Sequence, residues 1–270
     1  MENNQKYALI TGATSGIGYE LAQLFAQDGY NLVIVARGES ELNAKKAELE
    51  SSGIEVITLA KDLSIREEVF ALCEEIQIKN IQIDVLVNDA GQGQYGLFSD
   101  TDIKRELEII DLNVAAVVIL SKHFVKEMKA RGEGKILNLA SIASKTPGPW
   151  QSIYHATKAF VISFSEALRS ELEDTGITVT ALMPGVTDTD FFNKASMQDS
   201  KAVQDKEAMA DPADVAKAGY EALMGGNDKV ISGFKNKMQV GLTNMMPDST
   251  VAGQVKTQQE PVHTPVKDPN

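Results

Sequence analysis

Tyr154 and Lys158 stand four residues apart in Tyr154-His155-Ala156-Thr157-Lys158, inside a stretch whose apolar residues recur with helical spacing. On a helix that separation puts both side chains on one face. A phenol ordinarily titrates near ~10 and is a poor proton carrier at neutral pH. An adjacent ammonium favours the phenolate and lowers that pKa, which prepares the group for general acid–base work. Ser141 ends a strand-like run thirteen residues before Tyr154, so its hydroxyl could hold a substrate oxygen while Tyr154 transfers the proton. Alone, a Tyr-x-x-x-Lys pair is common and usually structural, so its meaning depends on the company it keeps.

Part of that company is Thr11-Gly12-Ala13-Thr14-Ser15-Gly16-Ile17-Gly18, which follows the first apolar run and opens a helical stretch. Gly12 permits a tight turn, Gly16 lets backbone approach a pyrophosphate, and Gly18 lets the helix pack closely on a sheet. The helix start then turns free N–H groups and a positive dipole end toward phosphates. The spacing is G-x-x-x-G-x-G rather than the common G-x-G-x-x-G, and a plain glycine-rich turn is the bland alternative. The second strand-like run closes on Ala36-Arg37-Gly38 without the acidic residue that NAD-binding folds use for the ribose 2′-OH. Arg37 can instead pair with a 2′-phosphate. NADP(H) is expected in preference to NAD(H), although Glu39 weakens the local positive field and an exposed loop arginine is the plainer reading.

These residues need a scaffold, and the chain alternates short apolar runs with longer amphipathic ones, the pattern of a parallel sheet covered by helices. Strands are expected at about 7–11, 31–36, 55–60, 85–88, 135–139, 178–183 and 229–232, and helices at about 17–28, 39–51, 65–79, 102–131, 152–174 and 212–224. With 270 residues and 43% hydrophobic content, one α/β domain over residues 1–252 is expected. Residues 186–210 read as a substrate lid or a surface excursion, and 253–270, polar and holding Pro261, Pro265 and Pro269, as a flexible tail. A net charge of −12 without a basic run argues against nucleic-acid or anionic-membrane partners. The lone Cys73 reads as a core residue, and His123, His155 and His263 lack metal-ligand spacing, so no metal is expected. No apolar run reaches membrane-spanning length and the first residues are polar, so a cytoplasmic location is expected.

Over roughly residues 5–235 the sequence resembles the short-chain dehydrogenase/reductase family. The resemblance is carried in order by Thr11 to Gly18, Asp62-Leu63, Asn88-Asp89-Ala90-Gly91, Asn113, Ser141, Tyr154, Lys158 and Pro184-Gly185. It implies a Rossmann-type doubly wound α/β fold with a seven-stranded parallel sheet in the order 3-2-1-4-5-6-7, helices on both faces, and an oxidoreductase acting on CH–OH or C=O groups. It further implies that Tyr154 is the general acid in reduction and base in oxidation, and that Lys158 binds the nicotinamide ribose and lowers the phenol pKa. Ser141 would orient the substrate oxygen, and Asn113 would anchor a proton-relaying water. Asp62 and Leu63 would contact the adenine. Asn88, Ala90 and Gly91 would flank the cofactor, and Pro184, Gly185, Thr187 and Thr189 would lie near the nicotinamide amide and the phosphates, beside the loop contacts of Gly12, Thr14, Ser15, Gly16, Ile17 and Gly18. Asn113 could instead stabilise a helix bend, and Asp62 could cap the helix starting near Ser64. The sequence departs from the family at Asp89, where Asn is usual, and at Thr187, where Val or Ile is frequent.

The substrate pocket is expected at the carboxyl ends of the strands, walled by Gln92, Ser141, Ile142, Trp150, Gln151, Phe191 and Phe192. That lining suits a partly apolar carbonyl or alcohol. A homodimer or homotetramer through the helices holding Asn113 and Tyr154 is what related enzymes imply. Met238, Met245 and Met246 could seal a pocket, an interface or a core gap. Two other readings are a non-catalytic NADP(H)-binding sensor or scaffold and a nucleotide-dependent epimerase. The intact Ser141, Tyr154 and Lys158 argue against the first, and the short chain against the second.

Overall fold

The computed structural model describes residues 6–243 and 245–262. Seven strands form one parallel sheet in the order β3-β2-β1-β4-β5-β6-β7: β1 (Tyr7–Thr11), β2 (Asn31–Ala36), β3 (Val56–Ala60), β4 (Ile83–Asn88), β5 (Gly134–Leu139), β6 (Ile177–Met183) and β7 (Lys229–Ile231). This is the Rossmann-type arrangement expected from the sequence. Strand alternation sends neighbouring residues to opposite faces. Ala8, Ile10, Leu32 and Ile34 join the core under α1 (Gly16–Gln27), α2 (Glu39–Glu50) and α8 (Pro212–Met224). Leu9, Val33 and Val35 join the opposite core under α3 (Arg66–Ile78) and α5 (Ala116–Arg131), where Cys73 is buried as a small core residue. Strands covered on both faces carry unbroken apolar runs, as residues 8–10 of β1 and 32–36 of β2 do.

Three elements differ from the sequence expectation. The helix expected over 102–131 is α4 (Ile103–Ile110) and α5, joined by a π-helical turn over Asp111–Ala115 in which Ala116 N–H donates to Asp111 O. One extra residue in a turn shifts the face that follows by one position, and the run Val114 to Leu120, apolar at every position, hides that shift. The helix after Gln151 is α6 (Ser152–Glu171), three residues shorter than expected. The chain also does not loosen at 253: beyond α9 (Phe234–Thr243), α10 spans Asp248–Gln259 and buries Val251, Val255 and Gln259. Two buried valines four apart supply docking that a polar composition hides. His263, Pro265 and Pro269 lie outside the described residues.

The segment 186–210 carries the short helix α7 (Phe191–Lys194) and two 3₁₀ turns. It has its own small core of Ala195, Met197 and Val203, against which Tyr95, Phe191 and Phe192 pack. Tyr95 N–H donates to Ala195 O at 2.9 Å, and residue 188 donates to Ala210 O at 2.9 Å.

Candidate active site

The loops after β1, β4, β5 and β6 meet at the carboxyl ends of the strands around a cavity of about 540 Å³. Gly12 turns the chain at φ +75°, and a Cβ there would stand 2.9 Å from Asp89 Oδ2 and 3.1 Å from the Ala90 backbone. A Cβ on Gly18 would lie 2.6 Å from the Gly12 carbonyl oxygen. Thr11 Oγ1 fastens the two loops by accepting from the N–H groups of Asp89 and Ala90, each at 3.1 Å. Helix α1 starts at Gly16 with no side-chain cap from Ser15 and no acid in its first turn, which leaves its positive end available to an anion. Glycines that let the loop and helix pack this closely, beside an uncapped helix start on the cavity, fit a dinucleotide diphosphate. Gly12, Thr14, Ser15, Gly16 and Ile17 line the cavity, while Gly18 lies behind it.

Arg37, past the end of β2, and Asp62 and Leu63, past the end of β3, also line the cavity. The Arg37 side chain is 57% exposed and its guanidinium is 4.0 Å from Asp62 Oδ2. Asp62 Oδ1 accepts from Ser64 N–H at 3.0 Å and from Ser64 Oγ at 2.7 Å. Asp62 therefore caps the Ser64 turn and stands on the cavity wall at once. Lys61, which the sequence reading did not single out, shares this wall and pairs with Glu75 at 3.2 Å.

Ser141, Tyr154 and Lys158 come together from β5 and α6. Ser141 Oγ accepts from Ala143 N–H at 3.1 Å and donates to Pro184 O at 3.4 Å. Burial pushes the Tyr154 phenol up to about 12, and hydrogen bonding with Ser141 acts in the opposite sense. The expected lowering belongs to the site with its oxidised cofactor; the Lys158 ammonium stands 5.8 Å from the phenol ring centroid, and burial is the leading influence on the phenol. Lys158 Nζ donates to Leu139 O at 2.7 Å. Burial lowers its pKa to about 8 while Asp89 acts to raise it. Asp89 is held up to about 7 by burial, opposed by Lys158 and by the Gly18 N–H. A Cβ on Gly91 would stand 3.3 Å from Lys158 Nζ and 3.4 Å from Asn113 Oδ1, so that glycine lets both side chains reach the loop.

Asn113 sits in the π-helical turn. Its Oδ1 accepts from Gln92 N–H at 3.0 Å, and its Nδ2 donates to Gln92 O at 2.9 Å and to Thr157 Oγ1 at 3.0 Å. The amide thus clamps the β4 loop to α6. Asn88 does not line the cavity: its amide donates to Asn138 Oδ1 at 2.8 Å and to Ser121 Oγ at 3.3 Å, inside the sheet layer.

The far wall holds Gln92, Ile142, Gln151, Pro184, Gly185, Thr187, Thr189, Phe191 and Phe192. Phe191 packs on Tyr154 with ring centroids 5.1 Å apart. Trp150 is absent from it. With φ +73° its indole stacks on Tyr95 at 5.5 Å instead, so its assignment as a pocket wall is corrected. The sequence reading missed His155, Gln239, Val240, Val255, Gln258 and Gln259, which α6, α9 and α10 bring to the same wall. Only a tertiary contact reveals them. Met238 and Met245 are exposed and fill no core gap, whereas Met246 is half-buried. Among the described residues, no helix is long and apolar enough to cross a membrane, and no group of three or more His, Cys, Asp or Glu could hold a metal.

The family model described as short chain dehydrogenase matches residues 6–200. An uncharacterized oxidoreductase of Staphylococcus saprophyticus is 32% identical over 83% of this chain and 93% of its own length. The ketoacyl reductase HetN of Nostoc sp. is 30% identical over 89% of this chain and 83% of its own. A short-chain dehydrogenase from Sphingobium yanoikuyae, solved in complex with NADPH, superposes with a TM-score of 0.79 at 29% identity, covering 90% of this chain and 96% of that one. With the fold, the glycine cradle and these likenesses in hand, the chain belongs to the short-chain dehydrogenase/reductase family, whose oxidoreductases bind a nicotinamide cofactor and act on small molecules.

Proposed function

We propose that this protein is an NADPH-dependent carbonyl reductase, reversible as a secondary-alcohol dehydrogenase, with Ser141, Tyr154 and Lys158 as its acid–base machinery. The observation that carries the reading is that Tyr154 and Ser141 line one cavity that runs without interruption to the glycine cradle; the surroundings of the phenol push its pKa up, so it holds its proton at neutral pH. The nicotinamide, when bound, supplies or accepts the hydride. Tyr154 keeps its proton at neutral pH and gives it up as negative charge grows on the substrate oxygen. Ser141 holds that oxygen in place. The Lys158 ammonium, fixed by Leu139 O, stabilises the phenolate that remains. Asn113, through its two bonds to Gln92, keeps the β4 loop against the site. Arg37 would take the 2′-phosphate of the cofactor, with its exposed guanidinium at the end of β2; the NADPH complex of a relative supports the same choice.

Phe191, Phe192, Met197, Val240 and Val255 make the far wall largely apolar, which favours a carbonyl with a hydrocarbon body. The same reading makes the chain a single domain working in the cytoplasm as a homodimer or homotetramer. Phe160, 40% exposed and stacked on Phe164 at 5.8 Å, offers apolar surface on α6 for that contact. The test is a panel of ketones followed at the reduced-nicotinamide absorbance with NADPH and with NADH. Stoichiometric NADPH oxidation with at least one ketone is expected. Binding of NADPH with no turnover across the panel would refute the reductase reading.

A further inference from the structure

Helix α9 leaves large apolar side chains open on three successive turns. Phe234, Met238 and Leu242 follow one another at a spacing of four, which puts them on one face. They are 75%, 53% and 61% exposed. A stripe of this kind left open to solvent marks a binding surface. Met238 and Leu242 line a groove of about 460 Å³ between α9 and α10, and Met246 and Val251 extend its apolar lining.

The groove adjoins the catalytic cavity: Thr146, Gln239, Thr243, Val255 and Gln258 line both. Helix α10 gives the direction between them. Val251 lines the groove alone, Val255 lines both spaces, and Gln259 lines the catalytic cavity alone. These three lie at a spacing of four on the buried face of α10, so they mark out ~12 Å along its axis. At the inner end Gln259 Nε2 is 3.2 Å from Nε2 of His155, the residue after Tyr154. At the junction the Thr146 carbonyl accepts from His155 Nδ1 at 2.8 Å. Arg37 and Asp62 line the catalytic cavity and not the groove. The groove therefore leads away from the phenol on the side opposite the arginine assigned to the cofactor.

We propose that the groove between α9 and α10 receives the tail of the substrate, which is then a ketone with a long, unbranched hydrocarbon chain. The chain runs from Tyr154 past Thr146 and Val255 and lies against Met238 and Leu242. The buried Val251 and Val255 give it an apolar floor, and the exposed Met238 and Leu242 leave the outer side open. A flexible chain can thus be laid in from solvent without threading a closed tunnel. A second copy of the protein seated on α9 would also cover this stripe, but the lining shared with the cavity of Ser141 and Tyr154 favours the substrate itself. The inference rests on the reductase reading for the ketone, while the tail can be tested without turnover.

The experiment measures kcat/KM for straight-chain methyl ketones of increasing length, from butanone to tetradecanone, with saturating NADPH. The value should rise about two- to fourfold per added methylene, chiefly through KM, until the groove is filled. In the double variant Met238→Asp, Leu242→Asp the longest ketones should lose about tenfold or more, while butanone keeps its kcat/KM. Both side chains are exposed, and an unchanged Tm is the control for folding. A profile flat with chain length, or a rise that the double variant leaves intact, overturns the tail assignment and leaves the reductase standing. Equal losses for butanone and tetradecanone also overturn it. If no ketone is reduced, the reductase reading fails, and calorimetry of the same series with the NADP⁺-loaded protein decides the groove separately. Affinity that grows with chain length and falls in the double variant supports it, and affinity independent of length overturns it.

Discussion

The wall built by Gly12 and Gly16, backed by Gly18, and the wall built by Gln151, His155 and Gln259 bound the same cavity, and they are made in different ways. The first is backbone. Its residues lie within eight positions of one another, and what matters is that no side chain intrudes: a Cβ on Gly18 would stand 2.6 Å from a carbonyl oxygen. The second is assembled from side chains more than a hundred residues apart in sequence, with α10 held by contacts to Ser200 and Lys201. A backbone cradle is suited to a ligand part that never changes, and a side-chain wall can be altered without disturbing it. If the first wall holds the cofactor and the second the substrate, as proposed, the two kinds of recognition are mechanically separate in this molecule.

Substitutions at each wall should therefore have separable effects. The largest is expected at the cradle. Gly18→Val should cost about 3 kcal/mol or more through overpacking against Gly12 and Asp89, with NADPH binding lost, as read by a lowered Tm and by titration. Normal NADPH affinity in that variant would break the account of the cradle. Next is Arg37→Ala, which should reduce the NADPH-over-NADH ratio in kcat/KM by about ten- to a hundredfold. An unchanged ratio would withdraw the 2′-phosphate contact.

Asp89 lies behind the cradle, and its burial yields a pH signature. Its carboxyl is held up to about 7, above the ordinary value near ~4. A fold that binds a proton more tightly than the unfolded chain loses stability as pH rises between the two values. Against Asp89→Asn, the wild type should therefore lose stability progressively from about pH 4 to about pH 7. Lys158, lowered to about 8, contributes the opposite slope only at more alkaline pH. A Tm difference between the two proteins that stays flat across the acid range would contradict the raised carboxyl. The smallest effect belongs to the far wall: Val255→Ala in α10 should cost about 1–2 kcal/mol of docking and raise KM for an apolar ketone, leaving NADPH affinity unchanged. A changed NADPH affinity would show that the two walls are coupled after all.

The same division explains what could be read from the sequence. The cradle was legible because glycine spacing records a backbone requirement directly, and Tyr154 and Lys158 because helical spacing places them on one face. The order of the strands followed from the family resemblance. The direction of the Tyr154 shift was not legible, since a sequence shows the neighbouring ammonium and not the depth of burial. The π-helical turn at Asn113 is masked by the unbroken apolar run Val114 to Leu120 that follows it. Trp150 was misplaced because its positive φ turns the indole toward Tyr95. Gln259 was hidden in a polar stretch whose helix depends on burying Val251 and Val255.

The most direct test of the central claim is the single-turnover rate of ketone reduction by Tyr154→Phe loaded with NADPH. Removing only the phenolic hydroxyl should slow the chemical step about 10²–10⁴-fold while NADPH still binds. A rate near that of the wild type would show that the proton comes from elsewhere and would contradict the assignment of this buried phenol as the acid.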